Sequence, residues 1–231
     1  MQIEIWSDVV CPWCYIGKRR LEQALAGFEH RDRVEVTWRS YQLDPGAPHE
    51  PTESVVASLG RKYGGGEQRA RAMIGQVQAA AAEEGLDFTR HVDALHLNTT
   101  DAHRLLHAAG DRRPELKEAF LEAYFVHAAN LADHGVLREI AVGVGLDAGL
   151  VDDVLASDRF ADDVQADIEQ AHGLGANGVP FFVIDRRFGI SGAQPAEVFA
   201  QALERAWAES APLTLVDGAG GGACEGDVCA T

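Results

Sequence analysis

The stretch Cys11-Pro12-Trp13-Cys14 decides how the rest of the chain is interpreted. It follows the alternating residues Ile3–Trp6, a pattern typical of a strand. Pro12 suits the first turn of a helix, where its missing N–H is not needed, and we expect that helix to run to about Phe28. A Cys-x-x-Cys pair at the turn from a strand into a helix is typical of a redox motif.

Each of the two cysteines has a predicted role. Free N–H groups and the dipole at a helix N-terminus stabilise a thiolate, so we expect Cys11 to be the low-pKa thiol that attacks a disulfide. Cys14 lies one turn further along, where we expect it to be shielded and to resolve the mixed disulfide. The alternative is half of a zinc site, but zinc takes four ligands, and the other cysteine pair has a four-residue spacer at the far end of the chain. Separately, His103 and His107 lie one helical turn apart, but they have no obvious third metal ligand. We therefore expect no metal.

Beyond this motif, the pattern changes from strand to helix and back. Val34–Trp38 alternates as a second strand, and residues 52–174 follow a helical pattern that is broken by glycines. Strand patterns return at Phe181–Ile184 and Phe188–Ile190, and Ala196–Ala208 reads as a last helix. This order predicts a β-α-β half and a β-β-α half, with a helical block inserted between them.

The same order predicts where the domains begin and end. We expect residues 1–50 to form the first half of an α/β domain, residues 51–174 a large α-helical insertion domain, and residues 175–210 the second half. An insertion packed on the sheet needs no second independent core. Within the insertion, one helix is expected to span Glu115–Leu131. Residues 211–231 are rich in glycine and small residues, and we expect a flexible tail.

Composition and charge narrow the choice of partners. The chain has 231 residues, of which 36 are acidic and 20 basic, and its formal net charge is −16. Such a surface repels phosphate backbones and anionic lipid, so we expect neither nucleic acid nor a membrane as a partner. No segment approaches the roughly 20 apolar residues of a membrane span. Met1 leads straight into the first strand without a secretory signal, which predicts a cytoplasmic protein.

A proline stands at the entry of a late strand, in the stretch Gly178-Val179-Pro180-Phe181-Phe182. Proline cannot donate a ladder hydrogen bond and therefore suits the first residue of a strand. A proline in such a tight turn often follows a cis peptide bond. An ordinary trans bond is the alternative that the local residues leave open.

Together, these motifs resemble those of the DsbA family of thioredoxin-fold proteins. Residues 7–17, 98–104 and 179–182 are similar to those of its FrnE-like branch. The resemblance implies an α/β thioredoxin fold with a large α-helical insertion domain. It also implies a nucleophile and a resolving thiol in the Cys-x-x-Cys pair, and a cis proline at Pro180 that faces them.

The same resemblance implies that the helical insertion covers the active site and shapes a substrate groove. The candidate substrate-binding residues are Pro12, Trp13, Val179, Asn98 and His103. For Asn98 the alternative is a helix cap, and for His103 it is a solvated or core histidine. Aromatic side chains near the sulfurs, namely Trp13, Tyr15 and Phe182, are candidates for the walls of this groove, with core packing as the alternative. We expect Trp13, between the two cysteines, to be partly exposed.

Three functions are consistent with these residues. The first is a protein-disulfide oxidoreductase that exchanges dithiols and disulfides with protein or small-molecule thiols. It needs no tightly bound cofactor, and glutathione is a candidate co-substrate. The second is a glutathione-dependent isomerase or transferase of the 2-hydroxychromene-2-carboxylate isomerase or kappa type, although those carry serine where this chain has Cys11. The third is a redox-regulated, chaperone-like binding module.

One departure from the family concerns the strength of the oxidant. The periplasmic DsbA enzyme has a histidine between its cysteines, where this chain has Trp13. Because a cation near the thiolate is then missing, very strong oxidising power is not expected.

A second cysteine pair lies in the tail. Cys224 and Cys229 have four residues between them, lie in a glycine-rich segment and resemble the tail pair of FrnE-like proteins. We expect an auxiliary redox pair that exchanges electrons with the first pair. The alternatives are a weak metal clip that uses Glu225 and Asp227, and a solvated tail with incidental thiols.

Overall fold

The computed structural model describes residues 1–210, so the predicted tail pair, Cys224 and Cys229, lies outside the described residues. The strands in the described part are β1 (Gln2–Ser7), β2 (Glu35–Ser40), β3 (Phe181–Ile184) and β4 (Phe188–Ser191). They form one sheet in the order β2-β1-β3-β4. β1 pairs in parallel with β2 and antiparallel with β3, and β3 pairs antiparallel with β4.

The helices of residues 1–210 surround this sheet and fill the long connection between β2 and β3. They are α1 (Pro12–Ala26), α2 (Val55–Lys62), α3 (Gly66–Glu83), α4 (Thr100–Ala108), α5 (Arg113–Phe125), α6 (His134–Gly143), α7 (Ala148–Leu155), α8 (Ala161–Gly173) and α9 (Ala196–Glu209). Short 3-10 turns lie at Arg31–Arg33, Thr89–Asp93 and Gly110–Arg112. None of these helices of residues 1–210 has the length and apolar character that a membrane crossing requires.

Both faces of β1 are buried, because side chains alternate along a strand and helices cover each side. Ile3 and Ile5 lie in a core with α1 and with Phe199 of α9. On the other face, Trp6 lies in a cluster with Ala171 of α8. The central position of β1 therefore fixes the point where α1 begins.

The helical block packs against α1. Tyr15 and Ile16 of α1 share a hydrophobic core with Leu105 of α4, Phe120 of α5 and Val151 of α7. α1 thus has the sheet core on one side and the helical block on the other, which places its first turn between the two. The domain boundaries at residues 50, 174 and 210 stay predictions.

α1 approaches β3 most closely at Gly17. A Cβ atom at this position would come within 3.1 Å of Pro180 Cγ and 3.2 Å of Phe182 Cζ. These distances are tighter than most real Cβ contacts, so the missing side chain is what lets the helix lie against the proline. This contact brings together the two motifs that the sequence singled out.

The predicted strands and the first and last helices are confirmed to within two residues at each end. The helix predicted over Glu115–Leu131 is wrong at its C-terminal end, because α5 stops at Phe125. The Ala129 N–H bonds back to the Ala123 carbonyl at 2.8 Å, and Ala128 has a positive φ of 54°. No glycine or proline marks this turn, so the sequence pattern does not reveal it.

Candidate active site

Two thiols lie at the start of α1. Cys11 is the N-cap residue, and the N–H of Cys14 donates to the Cys11 carbonyl at 3.0 Å. Both are free thiols and both are buried, with 3% of Cys11 and 1% of Cys14 exposed. The Cys11 Sγ donates to the carbonyl oxygen of Val179 at 3.4 Å. The thiol pair therefore touches the proline motif from the other end of the chain.

The Val179–Pro180 peptide bond is cis and stands directly before β3. The Pro180 carbonyl accepts a hydrogen bond from the Gly192 N–H at 2.8 Å, and its ring lies against Gly17 of α1. These contacts hold the Val179 carbonyl against Cys11. The structure thus places Pro180 beside the first turn that carries both cysteines.

A cavity of about 330 Å³ opens beside Cys11. Cys11 lines this cavity and Cys14 does not. The other lining residues are Asp8, Val10, Pro12, Trp13, Leu43, Asp44, Val55, Ser58, Leu59, Lys62, Tyr63, Met73, Ile74, Val77, His91, His96, Leu97, Thr99, Tyr124 and Val179. Three of the large apolar side chains on the lining, Trp13, Leu43 and Tyr63, are exposed. A molecule that enters the cavity therefore meets Cys11.

Four buried polar residues are called the charge cluster: Ser7 and Lys117, which lie near Cys14, and Asp8 and His103, which bond to each other. The Asp8 Oδ1 lies 3.2 Å from His103 Nε2, and its Oδ2 accepts the Leu43 N–H at 2.8 Å. The Lys117 ammonium donates to the Ser7 carbonyl at 3.2 Å. β1 and the loop after it, α4 and α5 each supply part of this cluster, which only the complete fold brings together.

A model of the DSBA-like thioredoxin domain family matches residues 2–204. The chain belongs to this family. The predicted thioredoxin fold and the predicted resemblance to DsbA proteins are thereby confirmed. Membership of the FrnE-like branch stays a prediction.

Solved structures place the DsbA-like chain among several relatives. It is 48% identical to a probable DsbA oxidoreductase from Streptomyces coelicolor, with a TM-score of 0.88 over 100% of this chain and 99% of that one. A 2-hydroxychromene-2-carboxylate isomerase is 12% identical, with a TM-score of 0.68 over 90% and 97% of the two chains. The cytosolic disulfide reductase DsbM from Pseudomonas aeruginosa, solved with glutathione, is 17% identical, with a TM-score of 0.62 over 90% and 100%. These last two share the fold alone.

The two thiols of the DsbA-like chain ionise as a coupled pair. The hydrogen bond to Cys14 raises the pKa of Cys11 well above its ordinary value, and burial and the Asp8 carboxylate add to this. Burial also acts to raise the pKa of Cys14, but the hydrogen bond from Cys11 and the Lys117 ammonium lower it overall. In this reduced geometry Cys14 is the thiol whose pKa is lowered and Cys11 the one whose pKa is raised, so the expectation that Cys11 has the lower pKa is corrected.

Burial also sets the charges within the cluster. It lowers the pKa of Lys117 to about 8 and lowers the pKa of His103 below its ordinary value. For Asp8, burial acts to raise the pKa, but the bond to His103 and the Leu43 N–H lower it overall. At neutral pH the cluster therefore holds one carboxylate, one ammonium and a neutral imidazole.

Three of the five suggested substrate-binding residues line the cavity, namely Pro12, Trp13 and Val179. Trp13 is 41% exposed, which confirms the expectation of partial exposure. Tyr15 and Phe182 do not line the cavity. Tyr15 packs in the core of the helical block and Phe182 in the sheet core, so core packing is the correct alternative for both.

The other two suggested residues, Asn98 and His103, do not line the cavity, and their role in substrate binding stays a prediction. The Asn98 Nδ2 donates to the carbonyls of Pro45 and Ala47 at 3.1 Å each, and its Oδ1 accepts the Thr100 N–H at 2.8 Å. Asn98 thus ties a loop to the start of α4. His103 has no exposed surface and belongs to the charge cluster.

The two histidines weighed as metal ligands are both engaged with carboxylates. His103 bonds Asp8, and the His107 Nε2 lies 3.0 Å from Asp167 Oδ2. Across residues 1–210, no three His, Cys, Asp or Glu side chains are grouped so that they could hold a metal ion.

Sequence reasoning missed Lys117 and His91. Lys117 does leave a signal, because Phe120, Leu121 and Tyr124 follow it at the spacing of one helix face, and a charge on such an apolar face is unusual. His91 leaves none, since it lies in a 3-10 turn too short to show a period.

Proposed function

We propose that this DsbA-like protein is a thiol–disulfide oxidoreductase that works by dithiol exchange through Cys11 and Cys14. The observation that carries the proposal is the placement of the two sulfurs, since Cys11 lines the cavity and Cys14 does not. A substrate in the cavity reaches the first sulfur. The second is held where it can attack the first from within the protein.

Reduction of a substrate disulfide takes two steps. The Cys11 thiolate attacks one substrate sulfur, forms a mixed disulfide with it and releases the other half as a thiolate. The Cys14 thiolate then attacks the Cys11 Sγ, which closes the Cys11–Cys14 disulfide and releases the second half. Two electrons pass from the protein to the substrate, and the same steps in reverse oxidise a dithiol substrate.

The Cys11 thiol and the Lys117 ammonium act at different steps of this reaction. Because burial and its neighbours raise the pKa of Cys11, this thiol must lose its proton before it attacks. In the mixed disulfide, Cys11 can no longer donate to Cys14. The Lys117 ammonium then favours the Cys14 thiolate that the second step requires.

The Val179 carbonyl is the group that we expect to align an extended substrate. It lies 3.4 Å from the Cys11 Sγ in the reduced protein. In the mixed disulfide Cys11 carries no proton, so a backbone N–H of the substrate can donate to this carbonyl.

Trapping the intermediate tests the proposal. A Cys14→Ser variant should accumulate a mixed disulfide with insulin, because the second step is removed, whereas a matched Cys11→Ser variant should form none. Mass spectrometry of the intact, non-reduced protein measures both. The proposal is wrong if Cys11→Ser reduces insulin as fast as the wild type, or if Cys14→Ser forms no adduct.

One observation favours the second candidate function, a glutathione-dependent isomerase: apolar side chains dominate the cavity next to Cys11, which suits an aromatic substrate. Turnover of 2-hydroxychromene-2-carboxylate that requires glutathione and survives Cys14→Ser would support that function. The protein substrate, glutathione as co-substrate, a cytoplasmic location and the role of the tail pair stay predictions.

A further inference from the structure

The walls of the cavity beside Cys11 are mainly apolar. Residues of α2 and α3 supply much of this surface, including Val55, Leu59, Met73, Ile74 and Val77. The volume of about 330 Å³ lies at the lower end of the roughly 300–1,000 Å³ that small-molecule sites span. The cavity therefore suits a small ligand that makes apolar contact over most of its surface.

The charged residues on the lining do not favour an anion. Asp8 belongs to the charge cluster, and Asp44 Oδ2 lies 3.0 Å from His96 Nε2. Lys62 is exposed in the last turn of α2, where solvent screens its attraction for a ligand carboxylate. Glutathione carries two carboxylates and an ammonium, and these described residues offer it no buried cation on the lining.

His91 is a buried polar residue on the wall of the cavity. It is 3% exposed, and its ring lies 4.9 Å from that of Phe125 and 5.8 Å from that of Tyr124, centroid to centroid. Its Nδ1 has no hydrogen-bond partner among the described residues. Burial lowers the pKa of His91 to about 4, so at neutral pH the imidazole is uncharged and offers one donor and one acceptor.

We infer that the cavity binds a small, uncharged aromatic thiol or disulfide whose single polar group hydrogen-bonds His91, in preference to glutathione. The chemistry at Cys11 rests on the proposed function. A bound disulfide takes two electrons from Cys11 and Cys14 and leaves as two thiols, while the protein disulfide closes. The binding preference itself follows from the apolar walls and from His91, which lines the cavity and, unlike His96, is paired with no carboxylate among the described residues.

Thioethers test the binding without the chemistry, because they cannot exchange with a thiol. The probes are 4-(phenylsulfanyl)phenol, diphenyl sulfide and S-methylglutathione, titrated calorimetrically into the reduced full-length chain. We expect the phenol to bind at least about tenfold more tightly than S-methylglutathione. His91→Phe should weaken binding of the phenol about fivefold, the typical worth of one hydrogen bond, and that of diphenyl sulfide less than about twofold.

Two further variants separate a hydrogen bond from a packing effect. His91→Gln keeps a hydrogen-bonding group and should retain the preference for the phenol over diphenyl sulfide. Lys62→Met is the matched control on the cavity lining and should change binding of each probe less than about twofold.

The inference is overturned if S-methylglutathione binds as tightly as the phenol, or if His91→Phe weakens both aromatic thioethers equally. The proposed function fails separately. A negative insulin trapping experiment with intact thioether binding refutes the exchange chemistry, whereas normal trapping with no preference among thioethers refutes the ligand assignment.

Discussion

Cys11 and Cys14 are one helical turn apart, yet their surroundings are opposite. Cys11 opens onto an apolar cavity with exposed aromatic side chains on its lining, and Cys14 lies near the buried Lys117 ammonium. Cys11 is therefore the sulfur that a substrate can reach, and Cys14 is the sulfur whose thiolate the protein stabilises. A dithiol reaction needs both properties, and the hydrogen bond between the sulfurs lets one pair combine them.

Removing the cation from the Cys14 side should have the largest effect. In Lys117→Met, the pKa of the thiol pair should rise, because the ammonium that stabilises the Cys14 thiolate is gone. The buried Ser7 carbonyl also loses its charged donor, so the free energy of unfolding should fall by about 1–3 kcal/mol. The pH dependence of the thiolate's ultraviolet absorbance measures the first effect, and urea denaturation the second.

Lys18→Met is the matched control. Lys18 is also largely buried, but it lies on α1 and pairs with Glu22 and Glu118. It should leave the titration of the thiols unchanged. An equal shift in both variants would show that Lys117 has no special relation to Cys14.

These two sides of the site differ in how far the sequence predicts them. The Cys-x-x-Cys pair and Pro180 are local motifs with strong backbone preferences, so their place in the fold follows from short stretches of chain. The strands follow from alternation, and α1 from Pro12 and its apolar spacing. The cluster around Cys14 combines β1, α4 and α5, and no local pattern joins residues about 100 positions apart.

Where the structure differs from what the sequence suggested, the cause is again a contact between parts of the chain that are far apart in sequence. Asn98 and His103 belong to a motif that the resemblance marks as important, but a motif does not say whether a polar side chain faces a ligand or the protein. In the structure their hydrogen bonds are made within the protein. Likewise, the helix-start argument favoured a thiolate at Cys11, but it omits the Lys117 ammonium, which reaches Cys14 from a distant helix.

On the cavity side, His91→Phe should change stability in acid. The folded-state pKa of His91 is about 4, below the ordinary 6.5, so between these values the unfolded chain binds more protons than the folded one. The stability of the wild type is therefore complete above pH 6.5 and falls by about 3 kcal/mol as the pH drops toward 4. The variant should lack this loss, which urea denaturation at several pH values measures.

The exposed His127 provides the control for this experiment. His127→Phe should keep the loss of stability of the wild type in acid. If His91→Phe shows the same acid loss as the wild type, His91 is not held neutral in the fold and the account of the cavity side is wrong.

Asp8→Asn should act in the opposite direction from Lys117→Met, with a smaller effect on stability. The Asp8 carboxylate raises the pKa of Cys11, so its removal should move the titration of the thiol pair to lower pH. Asparagine keeps an acceptor for the Leu43 N–H, and the loss of stability should be on the order of 1 kcal/mol. A titration that moves to higher pH would contradict the assignment of charges around Cys14.

The contrast between access and charge is tested most directly by alkylating the reduced protein. Brief treatment with iodoacetamide near neutral pH, followed by mass spectrometry of the peptides, gives the labelling rate of each cysteine. Access predicts that Cys11 is labelled well before Cys14, even though Cys14 has the lowered pKa, because Cys11 lines the cavity and Cys14 does not. Labelling of Cys14 first, or of both sulfurs at the same rate, would contradict the account.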